Sequence, residues 1–330
     1  MKIFKRIFSL FFKITISIAL MAFLLNKVDK KSLFEYVKNA DKLKLCFAFC
    51  MFLSSYVLAV FRWEMLLKAA KIYLPFKRVV ISFAGGTFFN LFLPSTIGGD
   101  LMRSIDLSSH TRRPKEVIAT VLLDRISGYI GLVILALFAL SLGWRVIRDT
   151  SVLLSVAVIA AVLGIILLVL FNKFLYEKIN MLLHSPNSGR FREMIKSLHQ
   201  EIHIFRHHKK IIIANLLLSL AIQSIVPLAF FIIALSLGVR LNIIYFFIFL
   251  PIISAITLLP VSIGGLGLRD AMTIFFFAKA GMSQGSAFAM SLLSFLFILL
   301  CGIIGGLIYV FTIRHRRVQH HQTPLARIYE

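Results

Sequence analysis

The chain has 330 residues, of which 59% are hydrophobic and 15% charged, with a mean hydropathy of +0.90. Soluble domains sit near roughly 45–50% apolar and 25% charged residues, so a soluble globular fold is excluded. The formal charge of +23 does not point to nucleic acid. Lysines and arginines gather at the ends of apolar runs, where anionic headgroups lie.

Taken in chain order, apolar stretches near the ~20 residues that cross a bilayer recur from end to end. Six are plain: 4–25, 45–67, 117–142, 151–171, 211–236 and 285–312. Two others, 79–100 and 243–280, are interrupted by Pro and Gly. The expected fold is an all-α polytopic membrane protein with about six full transmembrane helices and two broken segments. No stretch of comparable size is left for a soluble catalytic domain. The first span follows Lys2, Lys5, Arg6 and Lys13, like the start of a signal peptide. Asn26-Lys27 closes it without a small-x-small cleavage site, so it reads as an uncleaved span.

Basic flanks set the expected orientation. Segment 68–78 carries Lys68, Lys71, Lys77 and Arg78 with no acid, and 103–116 carries Arg103, Arg112, Arg113 and Lys115 against Asp106 and Glu116. Both flanks of 79–100 read as cytoplasmic, which makes that segment a re-entrant hairpin. The linker 173–210, amphipathic and basic, and the tail 314–330, which opens Arg314-His315-Arg316-Arg317, also read as cytoplasmic. Segment 243–280 then enters and leaves from the opposite face. The order span, span, hairpin, span over 1–143 repeats with reversed direction over 144–313, an inverted-topology repeat. Both termini are expected in the cytoplasm of a bacterial or archaeal cell, with the chain in its cytoplasmic (inner) membrane. Segment 26–44 is placed outside, although its six lysines and three acids go against the charge rule.

The two broken segments share Pro-x-x-Ile-Gly-Gly-x-x-x-Arg, at Pro94–Arg103 and Pro260–Arg269, 166 residues apart. Backbone interrupted in this way is tolerated at membrane depth mainly where protein or a water-filled cavity covers it. Half-helices starting after Gly98-Gly99 and Gly264-Gly265 are expected to present free N–H groups to a shared site, which suits an anion such as a phosphate. Arg103 and Arg269 would lie about one turn further on. Gly305-Gly306, by contrast, reads as close packing. Within spans, Asp124-Arg125 is costly in hydrocarbon. The two side chains lie about 100° apart on a helix and are expected to pair with different neighbours, for example Asp100 or Arg103. Arg62 and Glu64 are possible accessory residues.

Other signals carry less. Cys46, Cys50 and Cys301 lie in apolar runs and read as buried structural thiols, without the acids or histidines of a metal site. His199, His203 and His207 share a helix face, but no well-placed acid completes a ligand set, so neither metal nor cofactor is expected. No P-loop or nucleophile elbow is present.

The ordered residues Asn90, Pro94, Gly98, Gly99, Asp100 and Arg103, then Asp124-Arg125, then Pro260, Gly264, Gly265, Gly267, Arg269 and Asp270 resemble the lysylphosphatidylglycerol synthase transmembrane-region family, also called the flippase-like or UPF0104 family. The resemblance spans nearly the whole chain. Many relatives have Glu where Asp270 stands. The resemblance implies a non-enzymatic lipid translocase that uses those residues to bind headgroups. Its partners would be an anionic or aminoacylated phospholipid or a lipid-linked envelope precursor. Synthase activity is not carried over, because this chain shows no soluble transferase domain. A membrane scaffold working with an envelope-biosynthesis enzyme is the alternative, and a membrane-embedded transferase using Asp100 or Asp124 as base is a third reading.

Overall fold

The computed structural model describes residues 15–26, 29–93, 98–143, 150–171, 209–258, 262 and 264–321. Pro94, Pro260, the stripe His199, His203 and His207, and almost all of the 173–210 linker lie outside that set. The described residues form eleven helices and no strand: α1 (Thr15–Asn26), α2 (Lys30–Lys38), α3 (Lys42–Ala69), α4 (Phe76–Phe92), α5 (Gly98–Thr111), α6 (Pro114–Gly143), α7 (Thr150–Phe171), α8 (Lys209–Ser236), α9 (Ile243–Thr257), α10 (Leu268–Lys279) and α11 (Gln284–His321).

Four of these are long and apolar enough to cross a membrane: α3, α6, α8 from Lys210, and α11 to Thr312. Helix α7 covers the expected span 151–171 with 22 residues, and α1 is a shorter apolar helix over part of the first. The protein is a multi-pass membrane protein. Helix starts follow local chemistry. Asp29 accepts from the amides of Lys31 and Ser32 at 3.2 and 3.1 Å, and Asp41 accepts from Leu43 and Lys44 at 3.0 and 3.2 Å. The Lys44 ammonium, 2.7 Å from Asp41, and the amide donors hold that exposed carboxyl below the usual carboxylate range.

Helices α4 and α5 form an antiparallel hairpin: Asn90 meets Gly99, Gly86 meets Gly99 and Arg103, and Arg78 and Ser82 meet Asp106. The backbones touch at Gly86 and Gly99, where an added Cβ would overlap the opposite carbonyl oxygen. The expected hairpin bounds of 79–100 are too short, because the second arm continues to Thr111. Its polar residues read as a solvated flank, yet Asp100, Arg103, Ser104 and Leu107 form a buried face at helical spacing. Arg78, counted among the cytoplasmic charges, is likewise internal, 5% exposed and 2.6 Å from Asp106.

Helices α9 and α10 form the second antiparallel hairpin. Phe246 and Phe249 pack on Phe277 at ring separations of 4.9 and 5.4 Å. Between the arms, Gly264, Gly265 and Gly267 have φ of +58°, +78° and +77°, a region that side chains with a Cβ adopt at a cost.

The two halves are related by inversion. Helix α3 and its counterpart α8 lie antiparallel, joined by Asp41 N to Ser236 O at 3.0 Å, Phe52 to Phe230 at 6.0 Å between centroids, and Arg62 to Ser219 at 3.1 Å. The first arm of each hairpin packs on the last span of the other half. Helix α4 meets α11 through Ala84 and Gly305, Gly85 and Tyr309, and Leu91 and Gly302; α9 meets α6 through Ile244 and Gly143. Gly305 and Gly306 thus serve close helix packing.

Hairpin α4–α5 opens beside the C-terminal end of α3, where Arg113 reaches the Lys71 carbonyl at 3.5 Å. Hairpin α9–α10 opens at the other end of the bundle. There α2 packs on the start of α11, with Tyr36 3.3 Å from Ser283. Residues 29–44 therefore lie at the opposite end from 68–78. Cys46 and Cys50 are exposed on the outer face of α3, contrary to their expected burial, because their face turns away from α8 and α6; Cys301 is buried.

Candidate functional site

The inner ends of both hairpins border one cavity of about 480 Å³ inside the bundle. Hairpin α4–α5 contributes Gly86, Asn90, Asp100 and Arg103, and hairpin α9–α10 contributes Thr257, Gly264, Gly265 and Arg269. Arg62 on α3 and Asp124-Arg125 on α6 complete the charged side. The remaining lining is largely apolar and includes Phe52, Phe230, Leu250, Ile253, Phe295 and Ile298.

The charged side is a chain of alternating sign. Arg62 Nε donates to Asp124 Oδ1 at 2.7 Å, and Arg103 Nη2 donates to Asp124 Oδ2 at 2.9 Å. The same Arg103 nitrogen lies 3.0 Å from Asp100 Oδ1, and Arg125 Nε donates to Asp100 Oδ2. Adjacent residues on α6 thus engage different partners, as their ~100° separation requires. Asp124 is 2% exposed, Arg103 3% and Arg62 8%, so these ions persist by pairing. Arg62 Nη1 also donates to Ser219 Oγ, and Asn215 Nδ2 donates to the Arg62 carbonyl at 3.0 Å, which ties α8 into the cluster.

Two of the four arginines that line the cavity keep buried donors without a hydrogen bond. Arg103 Nε and Nη1, and Arg269 Nε and Nη2, are buried without a hydrogen-bond partner. Aromatic faces support both guanidiniums: Trp63 and Phe83 lie 4.7 and 5.3 Å from Arg103 Cζ, and Phe295 lies 5.2 Å from Arg269 Cζ. Buried donors without a hydrogen bond are costly, and those of Arg103 and Arg269 belong to residues that line the cavity. Four arginines and two aspartates line the space, a formal excess of two positive charges that Asp270, buried behind Arg269, reduces to one.

Of the residues singled out in sequence, Asn90, Asp100, Arg103, Asp124, Arg125, Gly264, Gly265, Arg269 and Arg62 line the cavity. Gly98, Gly99, Gly267 and Asp270 stand behind it in supporting roles. Glu64 does not reach it and pairs with Lys68 at 2.9 Å. The expected free amides at the half-helix starts are partly taken. Asn90 Oδ1 accepts the Gly99 N–H at 2.8 Å, and Asp270 Oδ2 accepts the Gly267 N–H at 2.9 Å. The cationic character of the site therefore rests on guanidiniums more than on helix ends. Trp63, Phe83, Ser219, Ser291 and Phe295 were not anticipated. For Ser291 a signal exists: it stands 22 residues after Arg269, as Arg125 does after Arg103. Among the described residues, no three His, Cys, Asp or Glu side chains are placed to share a metal ion.

No solved structure matches the chain. A UPF0104 membrane protein of Methanothermobacter thermautotrophicus is 22% identical over 279 residues, covering 77% of this chain and 80% of the relative. The family described as Lysylphosphatidylglycerol synthase TM region matches residues 10–306, which include both hairpins and every charged residue of the cavity, and the chain belongs to that family.

Proposed function

We propose that the protein is a lipid translocase, which moves an anionic or aminoacylated phospholipid, or a lipid-linked envelope precursor, between membrane leaflets. One observation carries this reading: a single cavity joins unpaired arginine N–H groups to an apolar wall. A small soluble anion has no use for the phenylalanines, and an apolar ligand leaves the buried donors unsatisfied, at about 1–3 kcal/mol each. An amphiphile with an anionic head satisfies both. The headgroup occupies the arginine side while the chains lie along the apolar side or in the surrounding hydrocarbon. The proposed steps make and break no covalent bond. Asp100 and Asp124 act as counterions, engaged by arginines rather than poised as bases.

The hairpins, entering from opposite ends, are proposed to be re-entrant from opposite membrane faces. The expected setting is the cytoplasmic membrane, with both termini in the cytoplasm.

The test is leaflet exchange in proteoliposomes. Full-length protein is reconstituted in phosphatidylcholine vesicles with a trace of fluorescent phosphatidylglycerol, and outer-leaflet dye is quenched with dithionite. Wild-type protein is expected to expose the inner-leaflet dye faster than empty vesicles, and Arg269→Ala to slow that exposure. Exchange no faster than in empty vesicles would overturn the reading. If the probe is still bound in that case, the accessory-protein alternative gains.

A further inference from the structure

The two motif arginines occupy matching places in the repeat but not matching environments. Arg103 lies within 3.0 Å of two carboxylates, Asp100 and Asp124. At the 166-residue offset, the counterparts of those aspartates are Leu266 and Met290. Arg269 is left with Asp270 at 3.5 Å, the longest carboxylate contact among the four lining arginines.

That carboxylate is itself engaged elsewhere. Asp270 is fully buried; its Oδ1 accepts from Ser291 Oγ at 2.5 Å and its Oδ2 from the Gly267 amide at 2.9 Å. Ser291 and Phe295 are one turn apart on α11. The first fixes Asp270 and the second lies 5.2 Å from the Arg269 guanidinium carbon. Together they position Arg269 beside the cavity with Nε and Nη2 lacking a hydrogen bond, Nη2 being the atom 3.5 Å from Asp270 Oδ1; Arg103 also has two donors without a hydrogen bond, Nε and Nη1, but its Nη2 is shared by two aspartates.

We infer that the arginines divide the work: Arg269 is the station that takes the phosphate of the ligand, held in position by Ser291 and Phe295, while Arg103 is the fixed junction that ties α5 to α6. This rests on the translocase reading for its setting, but on the geometry of Arg269 for its content. Ser291 and Phe295 act through Arg269 and need not touch the ligand. Free phosphate and a lipid phosphate offer the same acceptor chemistry, and the binding arms below separate them.

Binding is measured on the full-length protein in detergent with fluorescent phosphatidylglycerol, with a diacylglycerol carrying the same dye, and with inorganic phosphate. Exchange is measured in parallel. Losing a charge-assisted hydrogen bond corresponds to about tenfold or more in Kd, so Arg269→Ala is expected to weaken phosphatidylglycerol binding by that much. Ser291→Ala is expected to weaken it by about threefold or more, through misplacement of Arg269, with Ser291→Thr restoring it. Phe295→Leu should fall between wild type and Arg269→Ala. In protein that elutes as a single folded species, Arg103→Lys is expected to lose less affinity than Arg269→Lys while lowering the melting temperature more.

Equal or greater loss of affinity in Arg103→Lys, a Ser291→Ala variant that binds like wild type, or diacylglycerol bound as tightly as phosphatidylglycerol would each overturn the inference. Arg269-dependent binding of inorganic phosphate without the lipid supports it, with free phosphate as the ligand. Arg269-dependent lipid binding without exchange also supports it and removes the translocase reading alone. Exchange that depends equally on both arginines has the reverse effect.

Discussion

Replacing Asp124 by alanine removes the carboxylate that joins α3, α5 and α6. Two guanidinium contacts disappear, at 2.7 Å from Arg62 and 2.9 Å from Arg103. Taking the charge centres as about 4 Å apart, each is worth about 4 kcal/mol of gross Coulomb attraction at an effective dielectric near 20, offset by the cost of burying the ions. Arg103 keeps Asp100 at 3.0 Å, whereas Arg62, 8% exposed, keeps the neutral Ser219 hydroxyl as a side-chain acceptor. Removing one member of a buried pair typically costs about 3–5 kcal/mol because the other charge stays behind. At roughly 2–4 °C per kcal/mol for larger domains, the melting temperature should fall by roughly 6–20 °C.

Trp63 is a built-in reporter, fully buried, with Arg103 4.7 Å above its ring and its Nε1 donating to Thr120 at 3.2 Å. Tryptophan fluorescence of the purified protein, followed on heating in a single detergent, reads the transition. The pair Arg62→Ala and Asp124→Ala should be less damaging together than the sum of the single losses, by about 1 kcal/mol or more, because the double variant leaves one fewer orphaned charge. A single Asp124→Ala variant that melts within about 2 °C of wild type, or strict additivity with Arg62→Ala, would show that the alternating chain does not hold the bundle together.

Three further outcomes can be checked, two of them on the hairpins. Gly99→Ala puts a Cβ 2.5 Å from Asn90 Cγ and into the Gly86 carbonyl, so α4 and α5 must part; a loss of about 1–3 kcal/mol or more is expected in the same melting assay. Gly164→Ala on α7, with nothing within 4 Å of the added carbon, should be neutral or stabilising by about 0.5–1 kcal/mol. With the native cysteines replaced, single cysteines at Arg113 and Arg240 mark the mouths of the two hairpins. An impermeant maleimide is expected to label them from opposite faces of sealed vesicles, and labelling from one face would refute opposed entry.

The paired hairpins were legible because Pro and Gly punctuate apolar sequence in two matching places, and few other patterns do so at membrane depth. Their length was not. Helix α5 carries Asp100, Arg103, Ser104 and Asp106, which resemble a solvated flank when composition alone is considered, and only the partners on α4 and α6 make them internal. The pairing of Asp124 and Arg125 with α5 followed from adjacency on a helix, since neighbours must point apart. Their partners' exact match depended on the register of hairpin against span, which periodicity does not encode. The aromatic supports were hidden for a simpler reason: among 32 phenylalanines nothing distinguishes Phe83 or Phe295. The exposed faces of α3 were misjudged for Cys46 and Cys50 because in hydrocarbon both outward and inward residues are apolar, so hydrophobicity stops reporting burial.

The same packing explains why duplicated motifs need not be duplicated in role. Inversion brings Arg103 and Arg269 to one cavity from opposite ends, and the charged and aromatic contacts of each come from its own half: Asp100, Asp124, Trp63 and Phe83 for Arg103, Asp270 and Phe295 for Arg269. Helix α4 is wedged against α11 at Ala84 and Gly305, with backbone so close that a Cβ on Gly305 would lie 2.7 Å from the Ala84 carbonyl oxygen. Helix α9 rests against α6 through Ile244 and Ile248 on Gly143, where a Cβ would lie 2.9 and 3.0 Å from them. Sliding the halves apart as rigid blocks would break both of these seams, so the cavity walls belong to the interlocked whole. Carboxylates at positions 100 and 124, set against Leu266 and Met290 at the corresponding places, give Arg103 two ion pairs at 3.0 Å or less and leave Arg269 with one at 3.5 Å, although each arginine keeps two donors without a hydrogen bond.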